Sequence, residues 1–327
     1  MIARKLSTAP MMGFTDRHCR YLFRLLAPNA LLYSEMLTTG ALIYGNAGRF
    51  LQHHSSEQPS AFQLGGSDPD ELARCARMVE DAGFSEVNLN IGCPSDRVQA
   101  GLMGACLMNT PELVAECIDR MRSAVDIPVT IKCRIGIDSH DSYEFFAHFV
   151  DKVSEGGCLV FIVHARKAFL TGLSAKENRQ IPPLNYDYVY RIKRDFPHLT
   201  FILNGGLTSI CQVKAVLPKV DGIMIGREAY HNPVFLAELD SVLFEMTGER
   251  PGLREIAEQY LQYVNEELNQ GVPLRPMARH LLPLFRGIPG AKNFRRQLSE
   301  ALSRPASGID SVRQALGHID PARSVSC

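Results

Sequence analysis

The chain has 327 residues, long for one compact core, and its length suggests about two domains. Its composition, 46% hydrophobic and 21% charged, is that of an ordinary soluble globular protein, and no run of apolar residues is long enough to span a membrane. Lys plus Arg (35) equals Asp plus Glu (35), so the molecule as a whole cannot act as a polycation, and any nucleic-acid contact must come from a local basic patch.

The nine cysteines include no Cys-x-x-Cys pair, which argues against a disulfide framework and a zinc site and for a reducing compartment. The opening residues Met1–Ser7 carry charge with no apolar stretch behind them, so a cytoplasmic protein without a secretory signal is expected. No metal, no membrane and a monomeric state are the accompanying expectations.

The first two-thirds of the chain repeats one theme: a short apolar run, a polar or glycine-containing turn, then a helical stretch. The runs are Leu6–Met12, Leu31–Met36, Ser60–Leu64, Val87–Ile91, Val129–Cys133, Leu159–Val163, Phe201–Leu203 and Gly222–Ile225. They are largely apolar, as strands buried on both faces should be. Amphipathic stretches lie between them at Pro69–Ala82, Pro111–Ala124 and Ser142–Glu155, with capping signals in Ser67-Asp68-Pro69 and Asn109-Thr110-Pro111. Eight strands alternating with helices predict an α/β fold, a (β/α)8 TIM barrel. An open doubly wound sheet ranks second, because no Gly-x-Gly-x-x-Gly follows the first strand.

After about residue 240 the strand pattern ends. Residues 252–270 read as an acidic amphipathic helix, and Met277–Phe285, Ala291–Leu302 and Gly308–Leu316 as further helices separated by Gly and Pro. The expected organisation is a catalytic barrel over 1–242 and a C-terminal all-α helical bundle over 243–327. Residues 275–304 hold Arg275, Arg279, Arg286, Lys292, Arg295, Arg296 and Arg304 against Glu300 alone. The spacing of Lys292, Arg295 and Arg296 gathers their charge on one helix, which supplies the local patch a neutral chain needs. A solvated helix face is the plainer reading of the same run.

Barrel chemistry sits where strands end. Gln63 closes the third run; Asn88 and Asn90 alternate on the fourth, followed by Gly92-Cys93-Pro94; Lys132 and Arg134 end the fifth, His164 and Arg166 the sixth. Asn204-Gly205-Gly206 ends the seventh and Gly226-Arg227 the eighth. Glycines let backbone N–H groups approach a phosphate, the loops after strands seven and eight are its common place in this fold, and Arg227 can add a charge-assisted bond. Lys132 and His164 would bring a cation to negative charge on a reduced flavin ring, and Gln63 could read an amide edge of that ring. Cys93, in a glycine- and proline-bounded loop, has a thiol suited to general acid work, whereas Cys75, Cys117 and Cys158 fall in core patterns.

These residues resemble the tRNA-dihydrouridine synthases. The carriers are Ala9-Pro10-Met11-Met12-Gly13-Phe14-Thr15-Asp16, Gln63-Leu64-Gly65, Asn88-Leu89-Asn90-Ile91-Gly92-Cys93-Pro94-Ser95, Lys132-Cys133-Arg134-Ile135-Gly136, His164-Ala165-Arg166, Asn204-Gly205-Gly206 and the loop Gly101–Ala105. Leu173–Arg179 and Pro182-Pro183-Leu184 resemble the A subfamily, which acts on D-loop uridines at positions 20 and 20a. Met103 and Phe169 stand where the family carries an aromatic residue and a tryptophan.

The resemblance implies FMN across the barrel mouth, held by Pro10, Met11, Met12 and Gln63, contacted by Lys132 and His164, with its phosphate on Asn204, Gly205, Gly206, Gly226 and Arg227. It implies NADPH (or NADH) as reductant, a hydride to C6 of uracil, a proton from Cys93 to C5, and Asn90 beside the target base. Lys176, Arg179, Lys292 and Arg295 fall where the subfamily meets tRNA. Three other readings fit parts of the pattern. They are an FMN-barrel reductase of a free pyrimidine, similar to a dihydroorotate dehydrogenase; a non-catalytic tRNA-binding protein; and an aldolase or isomerase using Lys132 as a Schiff base.

Overall fold

The computed structural model describes residues 2–246, 248, 250–304 and 308–320. Eight parallel strands close into a barrel in chain order: β1 (Leu6–Thr8), β2 (Leu31–Thr38), β3 (Ser60–Gly65), β4 (Glu86–Ile91), β5 (Val129–Arg134), β6 (Val160–His164), β7 (Thr200–Asn204) and β8 (Gly222–Ile225). The (β/α)8 barrel expected from the strand–helix alternation is the observed fold. β1 is shorter than its apolar run. Ala9 N–H still donates to Ile225 C=O at 2.8 Å, but Pro10 has no N–H to extend the ladder, and residues 10–12 become loop.

Alternation along the strands decides what faces inward. Ala9, Leu31, Tyr33, Ala61, Ile162, Ile202 and Met224 form one buried cluster inside the barrel. The next residues of the same parity on β3, β6 and β7 are Gln63, His164 and Asn204, near or at the carboxyl ends of those strands. Register then aligns Gln63 with Asn88, Asn90 with Lys132, Arg134 with His164, and His164 with Asn204. Polar residues from Gln63 to Asn204, far apart in sequence, therefore occupy adjoining strand ends.

Two of the expected helix starts form as their caps dictate. Asp68 accepts from Glu71 N–H at 2.8 Å ahead of Pro69–Asp81, and Ser142 accepts from Phe145 N–H at 3.1 Å ahead of Tyr143–Glu155. Thr110 does not cap Pro111–Arg122; its hydroxyl donates to Leu107 C=O at 3.4 Å, and that helix start rests on proline in its first turn.

The chain divides into two compact units. One is Met1–Gly13 with Ala30–Gly226, the barrel; the other is Phe14–Asn29 with Arg227–Cys327. Among the described residues the second unit is built from helices, including Arg17–Leu26, Pro233–Leu243, Leu253–Asn269, Ala291–Leu302 and Ile309–Leu316. The helix expected over Met277–Phe285 is instead Leu274–Ala278 followed by a 3₁₀ turn, Arg279–Leu281, since Pro283 lacks an N–H and disfavours helical backbone at Leu282. In Ala291–Leu302 the residues Ala291, Phe294, Leu298 and Ala301 are buried while Lys292, Arg295 and Arg296 are exposed. The basic residues thus share the solvent face opposite the apolar one.

Candidate active site

Cys93 sits in the turn after β4, and Asn90 shapes that turn. The Asn90 Oδ1 accepts from Gly92 N–H at 3.1 Å and Cys93 N–H at 3.0 Å, while its Nδ2 donates to Gln63 Oε1 at 2.8 Å. Asparagine bonding its own backbone two and three residues on is the local chemistry that turns a strand into a loop. The Cys93 thiol is half-buried, with the Ser95 hydroxyl 3.4 Å from its sulfur. No imidazole is hydrogen-bonded to it among the described contacts. Its accessibility sets it apart from Cys75, Cys117 and Cys158, which are buried and whose thiols burial pushes up to about 12, leaving them protonated and unreactive.

Two cations from β5 lie near this thiol. Burial pushes Lys132 down to about 8, with Arg134 adding repulsion and the neighbouring Cys133 and Cys93 opposing it. Burial also lowers Arg134, to about 10, so it stays charged at neutrality. His164 differs from the cation expected of it. Burial, then Arg134 and Lys132, drive its imidazole well below its ordinary value, so it is neutral at physiological pH and Lys132 carries the charge of that pair.

Arg134 has a role that its place at a strand end does not reveal. Its Nε donates to Gly92 C=O at 2.9 Å, and its Nη1 to Lys167 C=O at 2.9 Å and Asn178 C=O at 3.0 Å. One guanidinium thereby joins the Cys93 turn to the long loop after β6. Asn178, fully buried, folds that loop onto itself: Oδ1 accepts from Phe169 N–H at 2.7 Å and Nδ2 donates to Phe169 C=O at 2.9 Å and Leu173 C=O at 3.1 Å. Gln99 completes the link, donating to Pro94 C=O at 2.8 Å and Leu170 C=O at 2.7 Å. Phe169 packs under the Lys167 ammonium, 4.8 Å from the ring centre. The sequence signal for Arg134 was its place with Lys132 at the end of the fifth run; its carbonyl partners come from loops distant in sequence.

At the ends of β7 and β8, Asn204 Nδ2 donates to Met224 C=O at 2.8 Å and ties the two strands together. Gly205 and Gly206 follow with φ of +119° and +72°, conformations that favour glycine. A Cβ on Gly205 would lie 2.8 Å from His164 Cδ2, and one on Gly206 would run into Leu184. Side chains are excluded from this turn, which leaves a backbone cradle of the kind a phosphate needs. Gly226 ends the barrel unit, and Arg227 opens the helix Arg227–His231 of the second unit. Pro10, Met11 and Met12 lie in the loop after β1, Met12 being exposed. Lys176 and Arg179 are exposed on the loop after β6, flanking the buried Asn178.

A model of the dihydrouridine synthase family matches residues 7–318. The chain belongs to that family. The tRNA-dihydrouridine(20/20a) synthase of Vibrio cholerae is 53% identical over 316 residues, 96% of each chain. The one of Shewanella oneidensis is 54% identical over 312 residues, 95% of this chain and 93% of its own. That of Escherichia coli K12 is 52% identical over 313 residues, 95% and 90%. The chain therefore falls within the 20/20a subfamily of the dihydrouridine synthases. Among solved structures, a 2-naphthoyl-CoA reductase complex shares the fold at a TM-score of 0.53 and 13% identity, over 74% of this chain and 50% of that longer one. No helix is long and apolar enough to cross a membrane, and among the described residues no group of three His, Cys, Asp or Glu could hold a metal ion.

Proposed function

We propose that this chain is an FMN-dependent tRNA-dihydrouridine synthase that reduces D-loop uridines at positions 20 and 20a to 5,6-dihydrouridine, using NADPH or NADH. The observation that carries the reading is the Cys93 turn, built by Asn90 and Arg134 beside Lys132, in a chain more than half identical to synthases of that name along nearly its whole length. The side-chain-free turn at Gly205-Gly206 fits a cofactor phosphate, and the neutral amide of Gln63 fits the amide edge of a flavin.

In this reading Pro10, Met11 and Met12 flank the flavin, Gln63, Lys132 and His164 contact its ring, and Asn204, Gly205, Gly206 and Gly226 hold its phosphate. Arg227 joins the phosphate contacts by its position directly after Gly226 in the chain. The chemistry that FMN would supply when held there is hydride for C6 of uracil. Lys132 lends positive charge where the reduced ring gathers negative charge, and neutral His164 serves as hydrogen-bond donor or acceptor rather than as a cation. Cys93 donates the proton to C5, and Asn90 fixes the turn that presents the thiol.

A uracil stacked in RNA cannot offer C6 to such a site, so the base must be extruded into the barrel mouth. Lys176, Arg179, Lys292 and Arg295, all exposed, are the proposed contacts to the tRNA backbone. Residues 1–242 then serve catalysis and 243–327 serve tRNA binding, in a monomer working in the cytoplasm without a metal.

The test is Cys93→Ala. Purified with FMN and given NADPH without air, it should bleach its flavin like the wild type yet form dihydrouridine in tRNA at least about 100-fold more slowly. Full product yield from that variant would remove Cys93 as the acid. Turnover of free uracil or orotate by the wild type, with none on tRNA, would favour the free-pyrimidine reductase.

A further inference from the structure

The barrel interior holds an unbroken line of polar side chains running from its closed end to the Cys93 turn. Cys93 N–H donates to Asn90 Oδ1 (3.0 Å), Asn90 Nδ2 to Gln63 Oε1 (2.8 Å), and Gln63 Nε2 to Asn88 Oδ1 (2.7 Å). Asn88 Nδ2 then donates to Thr130 Oγ1 (2.8 Å), and the Thr130 hydroxyl donates to Glu86 Oε1 (2.6 Å). Glu86, Asn88, Thr130, Gln63 and Asn90 are all buried. At the closed end the other Glu86 oxygen forms an ion pair with Arg4, and Tyr33 OH donates to Oε1 as well.

Every bond in this line points the same way, and its two ends allow no other arrangement. Backbone N–H groups can only donate, and a carboxylate paired with arginine can only accept. Thr130 must therefore spend its proton on Glu86 and offer its lone pairs to the Asn88 amide. That choice orients Asn88, which in turn orients Gln63. Reversing any one amide would set donor against donor and acceptor against acceptor at once, in a place without solvent to relieve it. A barrel core normally consists of packed aliphatic residues, and three carboxamides, a hydroxyl and a carboxylate replace them along β3, β4 and β5.

We infer that Glu86 and Thr130 are positioning residues: from the closed end of the barrel, through Asn88, they set which way the Gln63 amide presents its donor and acceptor at the mouth. The inference rests on the proposed flavin reading, in which Gln63 faces the ring. It adds two residues that touch neither cofactor nor base and a reason for polar groups this deep in the barrel.

The experiment compares Thr130→Val, Thr130→Ser, Glu86→Gln and Tyr33→Phe in the full-length, FMN-loaded enzyme. Dihydrouridine formation at saturating tRNA and the visible spectrum of bound FMN are the two readouts. Valine matches threonine in shape and lacks the hydroxyl, so Thr130→Val should lose about ten-fold in turnover with little change in KM, and should shift the flavin spectrum. Glu86→Gln should do the same. Thr130→Ser, which keeps the hydroxyl, should restore both readouts to near wild type. Tyr33→Phe, which leaves the line from Thr130 intact, should stay within about two-fold.

Wild-type turnover and spectrum in Thr130→Val would overturn the inference, as would equal losses in the valine and serine variants, which would mean packing alone. If Thr130→Val does not fold, Thr130→Ser decides: near-full rate supports the role of the hydroxyl, and a ten-fold loss ends it. A wild-type protein that takes up no FMN would strike the flavin reading itself, before any variant is compared.

Discussion

Inside the barrel, Gln63, Asn88, Asn90 and Thr130 share neutral hydrogen bonds whose far end alone is ionic. In the second unit a cluster of titratable side chains gathers around Asp16. Asp16 accepts from Arg279 Nη2 at 2.6 Å and lies 3.0 Å from His280 Nε2, while also capping its own helix through Cys19 N–H at 2.9 Å. Arg17 donates to Glu267 at 2.7 Å, and His18 Nδ1 meets Tyr263 OH at 2.7 Å. The amides and hydroxyl of the line carry no titratable group, which suits a site that must hold one orientation. The ionic cluster ties the helices Arg17–Leu26 and Leu253–Asn269, far apart in sequence, by contacts whose strength follows protonation. Polar contacts serve orientation along the barrel's amide line and long-range cross-linking in the cluster around Asp16.

Acid should separate the two regions most clearly. Burial, with Arg17 adding repulsion, lowers His18 from an ordinary 6.5 to about 4, so between those values the unfolded chain binds a proton that the folded one refuses. Stability attributable to His18 is full above pH 6.5 and lost as pH falls toward 4, by up to about 3 kcal/mol. Urea midpoints across that range should show the slope, and His18→Gln should flatten it. An unchanged slope in the variant would place the acid sensitivity elsewhere.

Asp16 gives the next largest effect. Burial alone would raise its carboxyl, but the hydrogen bond and charge of His280, with the Cys19 N–H, hold it well below the usual carboxylate range. Its contribution is present above about pH 4 and fades only in strong acid. Asp16→Ala removes a helix cap and the carboxylate shared by Arg279 and His280, for a loss of about 2 kcal/mol at neutral pH. Thermal unfolding should report it, and flavin binding measured well below the melting temperature should be unaffected.

Charge reversal at Lys292 and Arg295 should weaken tRNA binding about ten-fold at moderate salt and reduce its salt dependence, with FMN content untouched. Filter binding at several salt concentrations is the check, and unchanged affinity would remove this helix face from the tRNA contacts. The smallest effect belongs to Lys132. Its depressed value means its charge is present below about pH 8 and lost above it, so FMN affinity should fall a few-fold between pH 7 and 9. Lys132→Met should bind FMN more weakly at pH 7 and show no such step by fluorescence titration.

The apolar runs were legible because a strand buried on both faces has few alternatives, and all eight became barrel strands in order. Asp68-Pro69 was legible as a helix start because a cap is a bond between near neighbours, although the same signal at Thr110 did not yield a capping bond. The turn around Cys93 was legible from Gly92 and Pro94 on either side of it, whereas the Asn90 bonds that shape it came from the structure. The basic face of Ala291–Leu302 followed from helical spacing alone.

Folding in three dimensions settled the rest. That Arg17–Leu26 belongs with the C-terminal helices depends on partners more than 200 residues away, such as Glu267 and His280. That His164 is neutral depends on burial and on two cations brought beside it by strand register. Arg134 finds three carbonyls on two distant loops, and Thr130 finds Glu86 across a strand pair. Local chemistry writes strands, caps and turns into neighbouring residues, whereas a charge state or a hydrogen-bond direction depends on everything packed around it, and that exists only once the barrel has closed.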